Sequence, residues 1–594
     1  MSNTSSSQPG PWNPGINSAI PERYLPLATV YRPENVSSTL RDVRELADLT
    51  GLAPHELVAF RPERLIVHEV LIRVMADLSV PDGKVYEDLG INFRRMAGII
   101  LSKYVSAERA SIIQGYSDAC NQAAALLKRE VDSVMRTEPA SKEEPKAGWL
   151  SRLMGRVDPQ PERQSESIGE TLSRWQVLAA GSDNLEGAAF GALVVTAQAI
   201  IGKRGRLFTD SELIVRIAMI DFANTYGSKL IGEMVGPIVL QAAQKEGFKV
   251  LPAQAAPVIL NVKGASAAGK STLRPLQRKL VENLGLDWSD FALISPDIFR
   301  KYLLDYASLG EASRYAGSLS GHEVEIVDLK LDDYMAAKAS KGDMPHLLID
   351  RFRFDSFSSP ANLKAGGRLL TRFGSVVYMF FMITPPADTV ERAWSRGEQV
   401  GRYKAVDDLL FHNIEAFSGM PNLFFTWALN EEKQVHYEFL DNSVKKGEHP
   451  RTVASGVNGE LTILDIGQML NVERYKRVNV DAVSRNDVFA DKSDLVVQNN
   501  TAFLRDCFRK LKAVRLADQD TGKIYAWIEA GDAVAVDLAG LKRALKDDDT
   551  REALAGLMPV LIDDADTLEQ RTGSLQGSNS LTLGTWGGAK ASGY

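Results

Sequence analysis

Apolar positions along the chain follow two different periods. Over residues 39–136 and 168–250 they recur every three or four positions, the spacing of helices with one buried face. The first such run closes at Gly51, a residue suited to end a helix. A second helix is expected to start at 53–57, one or two more lie between 107 and 135, and a long run covers 210–245. From Val258 onward, short apolar stretches rich in β-branched residues take over at 258–262, 291–294, 347–349, 375–383 and 434–440, with helical segments between them. Strands alternating with helices predict a parallel sheet covered by helices. Further on, 512–517 and 523–529 flank the turn D-Q-D-T-G as a hairpin, and a helix is expected at 538–545.

Breaks in this pattern set the expected boundaries. Residues 1–38 are expected to be a disordered leader, with no basic start or apolar stretch of a secretion signal. A helical domain follows at 39–136. Residues 137–167, rich in proline and charge around a short amphipathic piece, are a linker. A helical region covers 168–250, an α/β domain 251–477 and a small α+β unit 478–571. The Gly/Ser-rich stretch 572–594 is expected to be a disordered tail.

Composition narrows the class. With 594 residues, 44% apolar, 24% charged and a net charge of −7, the chain has the profile of a soluble globular protein and no basic domain for nucleic acid. Two cysteines, Cys120 and Cys507, support neither a disulfide framework nor a cysteine metal site, which fits a cytoplasmic location. The most apolar run, 187–202, is short for a membrane span and contains Thr196 and Gln198, so it is expected to be a buried helix.

The candidate chemistry begins where the strand at 258–262 ends. Gly264-Ala265-Ser266-Ala267-Ala268-Gly269-Lys270-Ser271 has the G-x-x-x-x-G-K-S spacing of a phosphate-binding loop, and Thr272 and the helical spacing of Leu273, Leu276, Leu280 and Leu284 follow it. Glycines let successive N–H groups converge on phosphate oxygens, and the new helix adds its positive end. Lys270 is placed to reach the outer phosphates and Ser271 to ligate Mg²⁺, which makes Mg²⁺ and ATP the expected cofactors.

Three further features follow in order. Asp297, just past the strand at 291–294, opens a D-x-x-R step to Arg300; it suits either a base for an attacking hydroxyl or a helix cap. Asp350 closes the strand at 347–349, where a carboxylate can hold Mg²⁺, and Arg351 and Arg353 behind it are, with Arg300, candidates for substrate contacts. Arg392 and Arg396 share one helix face and Arg402 lies beyond a glycine-bounded turn, an arrangement suited to a lid that neutralises charge on a moving phosphoryl group.

Over about 258–444 the chain resembles the zeta-toxin family of P-loop kinases, on the motifs G-A-S-A-A-G-K-S-T, D-x-x-R, L-L-I-D and E-R-A-W-S-R-G…G-R-Y-K. The family moves the ATP γ-phosphate to a hydroxyl of a nucleotide-sugar, and relatives among bacterial effectors phosphorylate NAD. The resemblance implies an α/β P-loop kinase core, Lys270 and Ser271 on phosphate and Mg²⁺, Asp297 as base, and Arg396 and Arg402 as lid arginines. The chain departs from the family at Asp350, where a glutamate followed by a Gly/Thr segment is usual and R-F-R-F follows here. The expected activity is therefore phosphotransfer to a small-molecule hydroxyl. The alternatives are an ATP-sensing regulatory protein and a protein-directed kinase, and an antitoxin-like or other protein partner is expected to use the helical N-terminal region.

Overall fold

The computed structural model describes residues 9–85, 87–137, 168–207, 210–351, 370–445, 447–575 and 581–587. Nearly all of the linker at 137–167, with its amphipathic piece, lies outside them, as does Arg353. The chain divides into two compact units. One comprises Met1–Leu25, Ile72–Met96 and Ala243–Tyr594, the other Pro26–Leu71 and Ala97–Ala242.

The first unit is built on a mixed sheet flanked by helices, an α/β arrangement. Strands β1 (Val258–Lys263), β2 (Phe291–Ile294), β3 (His346–Ile349), β4 (Val376–Ile383) and β5 (Gln434–Asp441) are parallel and run in the order β5-β4-β1-β3-β2. All six residues of β1 are buried, as expected of a central strand covered on both faces. Even its polar side chains lie inside: Asn261 Nδ2 donates to Thr371 Oγ1 at 2.7 Å, and Lys263 is 1% exposed. The connection leaving β1 runs toward β2 on one side of the sheet, and that leaving β4 runs toward β5 on the other. The C-terminal ends of β1 and β4 therefore form the switch point at which open α/β sheets leave a crevice.

The sheet does not stop at β5. The strands β6 (Arg451–Val457) and β7 (Glu460–Ile463) form a hairpin whose turn residues Asn458 and Gly459 both have positive φ, 41° and 89°. An Asn-Gly pair in a two-residue loop is a strong hairpin signal, and the expected strands had omitted it. Strand β8 (Ala513–Ala517) then pairs with β7 in parallel, and β9 (Lys523–Glu529) and β10 (Asp532–Val536) continue the sheet. The strands of the expected separate unit at 478–571 thus continue the α/β sheet, because β8 pairs in parallel with β7. Phe439 on β5 packs on Phe424 (ring centroids 5.2 Å) and on Phe503 (5.7 Å), fastening the helix Ala502–Lys510 to the same core.

Both ends of the chain are more ordered than composition implied. Trp12 packs against the core cluster that includes Val390 and Leu410, and Arg314 Nη1 donates to Pro14 O at 2.9 Å, so the leader is structured from residue 9. In the tail, Gly573–Ser574 pairs with β9 as a short antiparallel strand. Leu583 and Trp586 are buried, and the amides of Leu583 and Gly584 donate to the carboxylate of Glu438 on β5, at 2.7 and 2.9 Å. Two apolar side chains and one buried acceptor hold down a stretch that is otherwise Gly/Ser-rich.

The second unit is helical. Thr39 and Asp42 form a capping box at the start of Leu40–Thr50, and Gly51 ends that helix with φ 77°. Helix Leu185–Arg204 packs against Ile168–Ala180 and Ser211–Phe222, and its Phe190, Leu193, Ala197 and Ile200 are buried. It is long and apolar enough to cross a membrane by composition, and half of its most apolar stretch is buried within the protein.

Candidate active site

The loop that follows β1 has a strained backbone. Ala267 sits at φ 61° and Gly269 at φ 97°. A left-handed alanine costs about 1–2 kcal/mol, and alternating right- and left-handed residues turn successive N–H groups toward one point. Neither bounding glycine can be replaced without displacement. A Cβ on Gly264 would lie 2.7 Å from Met382 Cβ, and one on Gly269 would lie 2.4 Å from Asn442 Nδ2.

The loop is held from the next two strands. The carbonyl of Ala268 accepts from Thr384 Oγ1 at 3.0 Å, just past β4, and from Asn442 Nδ2 at 2.7 Å, just past β5. Arg392 Nη2 donates to Asn442 O at 2.6 Å and so braces the same corner; its guanidinium is engaged with backbone. Thr384 and Asn442 were not anticipated from sequence. Their position beyond the C-terminal ends of strands adjoining the switch point is the signal that could have found them.

Chain direction brings Lys270, Ser271, Asp297, Asp350, Arg396 and Arg402 to this end of the sheet. Lys270 Nζ donates to Gly264 O and Ala265 O, at 3.1 and 3.0 Å, so the ammonium rests across its own loop. Burial lowers its pKa; Asp350 and Asp297 oppose that shift, and Arg396 and Arg402 add to it. Ser271 Oγ donates to Asp350 Oδ2 at 2.7 Å. The Asp350 amide donates to Ile294 O at 2.9 Å, which fixes the carboxylate relative to β2. Thr272 Oγ1 turns back onto Gly269 O at 2.6 Å. Ser266 and Ala267 are half-buried at the loop tip, whereas Ala265 and Ala268 are buried.

Asp297 makes no helix cap. Its Oδ1 accepts from Arg300 Nε at 2.9 Å and its Oδ2 from Arg402 Nη2 at 2.5 Å. Arg300 is in turn fixed by Gly317 O at 2.6 Å. Desolvation alone would raise the Asp297 carboxyl, but Arg402 and Arg300 outweigh it and hold the group well below the ordinary carboxylate range. Of the Asp297 side chain, 42% is accessible.

Arg351 points elsewhere. Buried at 8% exposure, it pairs with Asp328 and with Asp332 (2.5 Å), both on the helix Gly321–Ser340. Burial pushes Asp328 up to about 6 against the pull of Arg351. Burial, Arg351 and Lys270 together push Lys263 down to about 7, so a buried charge cluster underlies the loop. The expected approach of Arg351 to substrate phosphate is not what the fold builds, because a guanidinium this deep is matched by two helix carboxylates.

Beside Arg402 lies a group that sequence reading overlooked. Lys404 Nζ is 3.3 Å from Asp408 Oδ2, and His412 Nε2 is 3.3 Å from Asp408 Oδ1, at i, i+4 spacing on the helix Val406–Ala428. Burial, then Lys404 and Lys270, push His412 down to about 2, so it is a neutral hydrogen-bonding ring at pH 7. Burial also lowers Lys404 to about 8.

No protein-family model matches the chain, and no curated protein matches its sequence.

Proposed function

We propose that the protein is a phosphotransferase of zeta-toxin type, moving the ATP γ-phosphate to a hydroxyl of a small molecule, with 264–272 as its P-loop. The observation that carries this reading is the meeting of a strained glycine loop, the Ser271–Asp350 pair and the Arg300–Asp297–Arg402 cluster at one sheet edge. A nucleotide-binding loop needs only the first of these. A phosphotransferase also needs an acceptor-side carboxylate and cations around the moving group.

In this mechanism the loop amides and Lys270 bind the phosphates, the ammonium exchanging its contacts with Gly264 O and Ala265 O for phosphate oxygens. Ser271 and Asp350 offer hydroxyl and carboxylate oxygens, the donor set that Mg²⁺ favours. Mg²⁺ bound there would neutralise phosphate charge. Asp297 accepts the acceptor hydroxyl's proton as its oxygen bonds to the γ-phosphorus and the bond to the ADP oxygen breaks. Arg402 and Arg396 balance the negative charge passing between the two.

A second reading, an ATP sensor without transfer, is favoured by one observation: both oxygens of Asp297 are occupied by arginines, which makes it a weak base in this state. Incubation with γ-labelled ATP and a metabolite extract separates the two. Label in a small molecule supports transfer, and bound ATP with no labelled acceptor sinks it.

A further inference from the structure

Next to the Asp297 cluster the first unit holds a cavity of about 300 Å³ that the phosphotransfer steps do not use. Arg94, Lys301, Tyr306, Ser313 and Tyr403 line it, with Gly401 at one side. Lys301 directly follows Arg300, and Gly401 and Tyr403 flank Arg402, so the walls adjoin both arginines bonded to Asp297. Arg94 arrives on the helix Asp88–Ile99, seated by Phe93, whose ring lies 5.5 Å from that of Phe299, the residue before Arg300.

Arg94 and Lys301 give the lining two cations against one acid. Burial lowers Lys301, the neighbouring Arg94 and Arg402 lower it further, and only Glu87 pulls the other way. Burial also lowers Arg94. Asp305, the acid in the wall, is already engaged with the amide of Ala307 at 3.0 Å. The Lys301 ammonium sits 5.9 Å from the centre of the Tyr306 ring, a contact that orients it without cancelling its charge. Closing such a cavity over a neutral ligand would strip water from two cations and return no charge-assisted bond in its place. An oxyanion replaces that water with charge-assisted hydrogen bonds.

We propose that this cavity is the subsite for an anionic, phosphate-sized group of the acceptor, with Arg94 and Lys301 as its ligands and the acceptor hydroxyl directed at Asp297. The name acceptor rests on the phosphotransfer reading; anion binding by the cavity does not. Arg94 lies outside the 258–444 stretch, so the earlier part of the chain would take part in substrate choice.

The test uses inorganic phosphate as probe, followed by ³¹P line broadening on the full chain with Mg²⁺ and saturating ADP, whose own resonances report the loop. Wild type is expected to broaden phosphate saturably. Arg94→Gln/Lys301→Gln is expected to weaken that binding at least tenfold, with thermal melting as the check on folding. Arg94→Lys, which keeps the charge, is expected to retain more binding than Arg94→Gln, and this pair decides the matter if the double variant does not fold. Absence of phosphate binding in wild type overturns the proposal. So does binding that survives in the double variant but is lost in Lys270→Ala, which assigns the ion to the loop. If ADP fails to bind while phosphate binds through Arg94 and Lys301, the phosphotransfer reading falls and the anion subsite stands.

Discussion

Arg402 and Asp297, 105 residues apart in sequence, are joined by a 2.5 Å hydrogen bond that ties the turn after the helix Pro386–Val400 to the end of β2. The pair keeps the carboxylate ionised far into acid. Because the folded pKa is depressed, the benefit of ionisation is present above the ordinary carboxylate value and lost only as pH falls through the folded one. Arg402→Ala is expected to shift the acidic limb of the pH–kcat/KM profile upward and to lower transfer about 10²–10³-fold, as for removal of one charge-stabilising donor. An acidic limb that stays in place would show that Arg402 does not set the carboxylate's pKa.

Asp297→Asn keeps the shape and removes the proposed base. Transfer is expected to fall about 10²–10⁴-fold while ATP affinity stays within a few-fold of wild type. Equilibrium binding beside single-turnover transfer measures both; undiminished transfer would leave Asp297 a structural partner of the two arginines.

Lys270→Ala removes the ammonium that spans the loop carbonyls. Binding of ATP and ADP is expected to weaken at least tenfold, because the ammonium that would meet the outer phosphates is gone. Unchanged nucleotide affinity, measured by calorimetry, would take the loop out of the mechanism.

Gly269→Ala meets two obstacles at once, φ 97° and Asn442 Nδ2 at 2.4 Å from the new Cβ. A loss of about 2 kcal/mol or more in unfolding free energy is expected, together with lost nucleotide binding, because the Asn442 bond to Ala268 O is displaced. Denaturant titration reads the first effect. A variant as stable as wild type would mean that the loop relaxes freely.

Glu438 makes stability depend on pH in the opposite sense to Asp297. Burial raises it from 4.5 to about 7, although the amides of Leu583 and Gly584 and the Thr452 hydroxyl favour the charged form. With the folded pKa raised, its contribution is complete below about pH 4.5 and is lost as pH rises through about 7, up to about 3 kcal/mol. The stability difference between wild type and Glu438→Gln is expected to shrink between pH 5 and 8. A difference independent of pH would mean that Glu438 titrates normally.

Local pattern was enough for the strands that build the site. The runs 258–262, 291–294 and 347–349 are mainly apolar and buried on both faces, and such runs are strands wherever a sheet is covered by helices. The order loop, Asp297, Asp350, arginines was likewise legible, because in a parallel sheet every strand's C-terminal end lies on one edge. The extension through β6 and β7 was missed although Asn458-Gly459 announces it. Low-complexity composition concealed the anchored tail, whose order depends on two apolar side chains and a distant glutamate.

The sequence by itself determined which residues could form the phosphate-binding loop and at which edge the acids would gather, since strand direction and residue spacing are local properties. Only the tertiary structure decided partnership. It gave Asp297 to two arginines instead of a helix amide, sank Arg351 between Asp328 and Asp332, and set Arg94 and Lys301 in the wall of one cavity. Charges choose partners by distance and burial, and both quantities join residues up to hundreds of positions apart that no local pattern relates.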